Sequence, residues 1–213
     1  MHPTRAAACA ALILATGAAQ AGEVYLGLGL PGVMLGYAQP INDSLTVRGD
    51  FATLGSRSKR QTEEGIDYDG KVKLSRFGVF ADWFVLGGLR LTGGVTVNDF
   101  KLDLVANGNG QNITIGGRSY TTTTGDRLAV GVKFPSTTPY LGIGYGHQLS
   151  TGLGFVFDIG ASIGTAKLST EVSGPNLSQV SQADIDAETA ELRDGVARLR
   201  ALPQISFGVA YRF

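Results

Sequence analysis

Large apolar side chains recur at every second residue in eight separate segments of this chain, and the residues between them are mostly small or polar. Successive strand side chains point to opposite faces, so each segment reads as a strand with one greasy face. The last is the clearest: Ile205, Phe207, Val209, Tyr211 and Phe213 alternate with Gln204, Ser206, Gly208, Ala210 and Arg212. Seven more precede it, at about residues 24–30, 33–41, 45–52, 76–85, 89–98, 140–149 and 153–164. Their second faces carry Arg48, Asp50, Arg76, Asp82, Arg90, Asp158 and, in the last segment, Arg212. In lipid a cationic side chain at mid-depth costs roughly 2–4 kcal/mol. Gathered in a shared lumen, the same charges pair with one another. The expected fold is therefore all-β: an eight-stranded antiparallel up-and-down transmembrane β-barrel, apolar outside and charged within.

Eight strands enclose an interior that side chains can fill, which argues against a porin-like open pore. Many inner positions are glycine, leaving room for long arginines or water. Lys+Arg and Asp+Glu both number 18, so there is no basic field to hold nucleic acid. The 31 glycines would suit disorder, but 43 % of the chain is hydrophobic and only 17 % charged, as membrane strands require.

Residues 1–21 read as a secretory signal: Arg5, an apolar run from Ala6 to Ala15, and an Ala19-Gln20-Ala21 cleavage site. Cleavage after Ala21 removes Cys9, the single cysteine, and leaves 22–213 without thiol or disulfide chemistry. Cys9 comes too early in the apolar run for a lipoprotein. No later stretch of 18 apolar residues offers a spanning helix.

The links between segments alternate in length. Asn42-Asp43, Gly87-Gly88, Thr151-Gly152 and Pro31-Gly32 are short, whereas 56–70, 107–137 and 173–202 read as long loops. Short turns in the periplasm and long loops outside are the outer-membrane pattern. The strands around 71–86 and 89–106 extend past the membrane, where Lys71, Lys73, Asp99, Lys101 and Asp103 break the apolar face; a bulge is expected near Asp99. Ile185, Leu192, Val196 and Leu199 form one helical stripe, with Ser181 and Asp184 as cap and Pro203 beyond the end. A helix over about 182–201 is expected in the last extracellular loop, packed on the barrel rim.

Ser206, Gly208, Tyr211 and Phe213 together resemble the C-terminal assembly signal of bacterial outer-membrane proteins. That resemblance implies recognition by the barrel-assembly machinery of Gram-negative bacteria. The mature chain is similar to the broad class that includes the OmpA and OmpW transmembrane domains. The run from Pro139 to Gly146 also looks like a recurrent group of proteobacterial barrels. Neither resemblance implies an activity.

Other motifs weigh less. Gly27-Leu-Gly29-Leu-Pro-Gly32 matches a dinucleotide-binding pattern, but it leads into a strand where that motif needs a helix. His147, with Ser150 nearby, invites comparison with lipid A deacylases; the spacing differs from theirs, and period-2 counting turns His147 toward lipid as a girdle residue at the periplasmic end. Glu63, Glu64, Asp67 and Asp69 beside Arg57, Lys59 and Arg60 read as a solvated loop, with a divalent cation or lipopolysaccharide phosphates as alternative ligands. Asn112-Ile-Thr114 matches a glycosylation sequon that bacteria seldom use. The lumen charges read as structural pairs, with a proton or ion path as the alternative. No catalytic, cofactor or metal residues are assigned. The expectation is a monomeric, non-enzymatic structural or surface-interaction barrel whose partners are outer-membrane lipid and lipopolysaccharide. A narrow transporter for a small or apolar solute and a lipid-modifying enzyme are the alternatives.

Overall fold

The computed structural model describes residues 22–63, 66–147, 151–196 and 200–213. The signal segment, Glu64, Ser150 and Leu199 lie outside the described residues. In chain order the strands are β1 (Glu23–Leu30), β2 (Gly32–Asn42), β3 (Leu45–Glu63), β4 (Ile66–Leu86), β5 (Leu89–Asn107), β6 (Asn112–Ile115), β7 (Arg118–Thr121), β8 (Arg127–Lys133), β9 (Thr137–Tyr145), β10 (Gly152–Ile163), β11 (Lys167–Ser173) and β12 (Ala201–Arg212). A 3₁₀ turn (Leu177–Gln179) and one helix, α1 (Gln182–Val196), precede β12.

Eight of these strands close a ring in the order β1-β2-β3-β4-β5-β9-β10-β12, and β12 pairs antiparallel with β1. Closure removes the sheet edges within the ring, so the backbone there needs no water to satisfy it. Following the register once around the ring returns to β1 about ten residues from the start, a stagger that tilts the strands by about 40–45°. The even strand number brings the ends together, and Phe213 N–H donates to Gly22 O at 3.1 Å.

Alternation sets the faces. Leu28 and Phe155 on the exterior are each 65 % exposed, while Asp82 and Arg90 on the interior are 0 % exposed. The ring is lopsided. The outer half of β5 outruns β9 and pairs with β8, and β8 pairs with β11. Pro135, which lacks an N–H, interrupts what would be one continuous strand of β8 and β9. The ladder passes it through Asn98 N–H to Ser136 O (2.6 Å) and Phe134 N–H to Phe100 O (3.4 Å). A five-stranded wall of β3, β4, β5, β8 and β11 thus rises beyond the end of the ring opposite the chain termini.

Within this wall the alternation continues but its chemistry inverts. On β4 the outward residues Trp83, Val79 and Phe77 give way to Lys73, Lys71 and Asp69, while the inward Asp82 and Arg76 give way to Leu74 and Val72. On β5 the switch falls between Asn98 and Phe100 on the inner face and between Val97 and Asp99 on the outer. The β4–β5 register runs through Asp99 without a shift, so the expected bulge there is absent. Breaks in register fall instead at Thr53/Gly55, Pro40/Asn42 and Phe84/Leu86.

The wall corrects three expected loops. Residues 56–70 are mainly the paired arms of the β3–β4 hairpin, polar on the outer face but alternating throughout. Residues 107–137 contain β6, β7 and β8. The segment expected as a loop over 173–202 follows an unforeseen strand, β11, and ends in β12, which starts at Ala201; a helix reaching 201 is therefore excluded. Pro203 lies inside β12 opposite Ala161.

The β6–β7 hairpin, the 3₁₀ turn and α1 cover part of the inner face of the wall. Ile115, Leu177 and Val180 are buried there, with Leu128, Val172 and Ile185 packed against them. Asp126 fastens the cap: it accepts N–H bonds from Thr123 (2.7 Å), Asn176 (2.9 Å) and Leu177 (3.0 Å). Burial pushes its carboxyl up, but these bonds and the Thr123 hydroxyl push it down further, to a net position below the usual carboxylate value. Ser181 caps α1 by accepting the Asp184 N–H at 3.2 Å, and the Asp184 carboxylate accepts the Ser181 hydroxyl at 2.8 Å and the Tyr120 hydroxyl at 2.6 Å.

Candidate functional site

The site is the lumen, and the strands build it by alternation. Arg48 and Asp50 come from β3, Arg76 and Asp82 from β4, Arg90 from β5 and Asp158 from β10, all buried. Arg48 is the hub. Its Nε meets Asp82 at 2.7 Å, its Nη1 meets Asp50 at 3.2 Å, and its Nη2 reaches Asp158 at 3.0 Å. The last contact crosses the full bore, because β3 and β10 stand four strands apart in both directions around the ring. Arg90 pairs with Asp82 at 3.1 Å and Asp158 at 2.9 Å and receives support from Thr92 at 2.9 Å. Arg76 pairs with Asp50 and Gln204. Three arginines thus meet three aspartates, and the cluster is neutral.

Aromatic rings fill the space around the charges. Phe80 lies 4.5 Å under the Arg48 guanidinium and 5.2 Å from that of Arg76, and its edge meets Tyr140 at 4.9 Å. Inner glycines make this possible. A Cβ on Gly144 would stand 2.6 Å from Arg90 Cζ, one on Gly36 would stand 2.2 Å from the Tyr25 ring, and one on Gly160 would stand 2.2 Å from the Tyr140 hydroxyl. The room left by glycine is therefore taken by arginine and aromatic side chains. A cavity between Met34, Arg48, Arg76, Tyr140 and Asp158 holds only about 10 Å³, about the volume one water centre needs.

Toward the wall the network turns neutral. Gln204 donates to Ser162 at 2.8 Å, Ser162 meets Thr96 at 2.8 Å, and Asn98 donates to Thr138 at 2.8 Å. At the turn end it gains two members that sequence reasoning missed. Glu23 is 1 % exposed, and His147 Nδ1 bonds it. The His147 ring meets Tyr25 edge-on at 4.5 Å.

His147 is thus an interior residue, which corrects its expected lipid-facing position. Gly146 (φ 93°) and His147 (φ 63°) adopt left-handed conformations in succession after β9 ends, and this breaks the period-2 count. Glu23 escaped notice because it precedes the first large apolar residue. Its parity with Tyr25 was the available signal. Arg212 faces inward opposite Glu23 and stands half-buried at the mouth.

The terminal motif divides between faces. Ser206 and Gly208 look inward, while Tyr211 and Phe213 stay exposed outside at the turn end. A Cβ on Gly208 would stand 2.4 Å from Leu26 O, so the close approach of β1 and β12 needs this glycine. The acidic and basic cluster of the β3–β4 hairpin is split likewise. Arg60 and Asp69 pair on the outer face at 2.7 Å, and Arg57 and Lys59 take the inner face.

No family model matches the chain, and no curated protein matches it. Among solved structures, CarO of Acinetobacter baumannii superposes with a TM-score of 0.62 at 18 % identity, covering 92 % of this chain and 99 % of that one. CarO2 of the same organism gives 0.62 at 18 %, covering 91 % and 98 %. Ail, the attachment invasion locus protein of Yersinia pestis, gives 0.39 at 13 %, covering 91 % and 94 %. The CarO likeness is one of architecture: by fold the chain is a closed eight-stranded antiparallel barrel of the CarO kind.

Proposed function

We propose that this chain is an integral barrel of a bacterial outer membrane with a structural or surface-interaction role, and that it neither conducts ions nor catalyses a reaction. The observation that carries this reading is the pairing of a continuous apolar exterior with a bore sealed by mutually neutralised charges. The exterior band on β10 runs from Leu153 to Ile163. That is about 33 Å along the strand at about 3.3 Å per residue, or about 25 Å vertically at the tilt of such a barrel. A lipid hydrocarbon band on an outer-membrane barrel is about 25 Å tall. So large an exposed apolar belt has no place on a soluble monomer.

In this reading the signal is cleaved after Ala21. Ser206, Gly208, Tyr211 and Phe213 address the chain to the barrel-assembly machinery, and kinship with OmpA- and OmpW-type domains rests on the likeness of the whole mature chain to that class. The turns at Asn42-Asp43, Gly87-Gly88 and Thr151-Gly152 face the periplasm, the Pro31 turn and the wall face outward, and the barrel works as a monomer without cofactor. The test is single-channel recording of the purified barrel in a planar bilayer. Silence is expected at every voltage the bilayer survives. Reproducible conductance steps would establish the narrow-transporter alternative instead.

A further inference from the structure

On the outer face of the wall, four lysines stand directly opposite one another on four neighbouring strands. Lys73 on β4 faces Lys101 on β5, Lys101 faces Lys133 on β8, and Lys133 faces Lys167 on β11. Opposed residues on neighbouring strands have Cβ atoms about 5 Å apart, and like charges so placed destabilise a sheet. All four are exposed. Lys73 is engaged by Asp99 at 2.5 Å, whereas Lys101, Lys133 and Lys167 have no ion pair among the described residues. The row spans three strand spacings, about 14 Å.

Its position is as telling as its charge. Below it on the same face lie Phe77, Val97, Val95 and Ile163, the top of the apolar belt. Above it lies a groove of about 720 Å³ whose outward lining includes Lys71, Asp103, Arg127, Ser169 and Glu171. Read upward, one surface offers an apolar, a cationic and a mixed hydrogen-bonding zone. An amphiphile with acyl chains, phosphates and sugars has the same order.

We propose that this wall binds a phosphorylated glycolipid of the lipopolysaccharide type. Its phosphates lie on the Lys73–Lys101–Lys133–Lys167 row, its acyl chains lie on the belt below, and its sugars occupy the groove above. The bound phosphates supply counter-charge to Lys101, Lys133 and Lys167, which have no ion pair among the described residues. The assignment rests on the membrane-spanning reading above.

The test uses the folded barrel in non-ionic detergent, titrated with purified deep-rough lipopolysaccharide and followed by native mass spectrometry. Wild type retains the lipid. The variant Lys73→Gln/Lys101→Gln/Lys133→Gln/Lys167→Gln binds about 100-fold more weakly at low salt, from about five-fold for each of the three unpaired lysines. Dephosphorylated lipid binds wild type as weakly as intact lipid binds the variant. Millimolar inorganic phosphate does not displace the lipid; if it does, the row is a simple anion site and the glycolipid assignment falls. Equal binding by wild type and variant, or by phosphorylated and dephosphorylated lipid, also overturns it. The heat-modifiable gel shift reports folding of each variant, and the single changes Lys101→Gln and Lys133→Gln serve if the quadruple variant misfolds. Flotation of wild type with phosphatidylcholine vesicles tests the spanning reading separately, because these vesicles carry no lipopolysaccharide.

Discussion

Replacing Arg90 by leucine should destabilise the folded barrel by about 3–5 kcal/mol, the usual cost of removing one partner from a buried ion pair. Arg90 is 0 % exposed and serves two carboxylates, Asp82 at 3.1 Å and Asp158 at 2.9 Å, besides donating to Gly146 O at 3.3 Å. Leucine fills part of the volume but leaves two arginines facing three aspartates in a closely packed bore. The excess charge, more than lost packing, sets the cost. A second change separates these causes. In Arg90→Leu/Asp158→Asn the central cluster regains neutrality, so the double variant should lose less than the sum of the single losses by about 1–3 kcal/mol. Urea unfolding in lipid vesicles measures both, read by the fluorescence of Trp83, the single tryptophan, which is 59 % exposed on the exterior. A loss below 1 kcal/mol for Arg90→Leu, or strict additivity in the double variant, would refute the claim that the lumen is held by charge pairing.

Three further outcomes follow from the same geometry. Val95→Arg changes a side chain that is 52 % exposed, and on a water-facing surface such a change stays within about 0.5 kcal/mol; facing hydrocarbon it should cost about 2–4 kcal/mol in vesicle-based unfolding. Gly144→Ala places a methyl group 2.6 Å from Arg90 Cζ, so it should cost about 1–3 kcal/mol by overpacking in the same assay, despite being the smallest possible enlargement. Asp126→Ala should release the cap, seen as faster hydrogen exchange at Asn176 and Leu177 with the barrel unchanged. The folded-state position of the Asp126 carboxyl is depressed, so its contribution is fully present above its unfolded value of 3.8 and is lost as pH falls through the lower folded value. Protection of the cap should therefore decay with acidification in wild type but not in the variant.

The ring was legible because eight segments pair a period of two with a sharp contrast between faces, and because charges on one face leave a single affordable sidedness. The central lumen residues follow from the same parity. The wall was not legible by that rule. Lys71, Lys73 and Lys101 keep the outward parity of Phe77 and Val97, but the outer face turns from apolar to charged there, and the greasy residues turn inward as Leu74, Phe100 and Leu102. Read with a fixed idea of which face is apolar, this looks like an interrupted strand, although on β4 and β5 the period never fails. Ser56 to Glu63 is harder still, because the register break at Thr53/Gly55 flips its parity and both its faces are polar. His147 was lost for a different one: a tertiary contact with Glu23 and two left-handed residues override local periodicity, and Tyr145-Gly-His147 carries no sign of either.

Above the ring the wall has two free sides, since the outer stretch of β3 pairs with β4 alone and β11 pairs with β8 alone. Unpaired strand flanks invite another polypeptide to zip onto them. Here α1 packs beside β11, and the β3 flank bristles with Arg57, Lys59 and Arg60. Crowded copies meeting at the β3 flank would bring like charges together, so that side of the half-palisade resists joining another of its own kind.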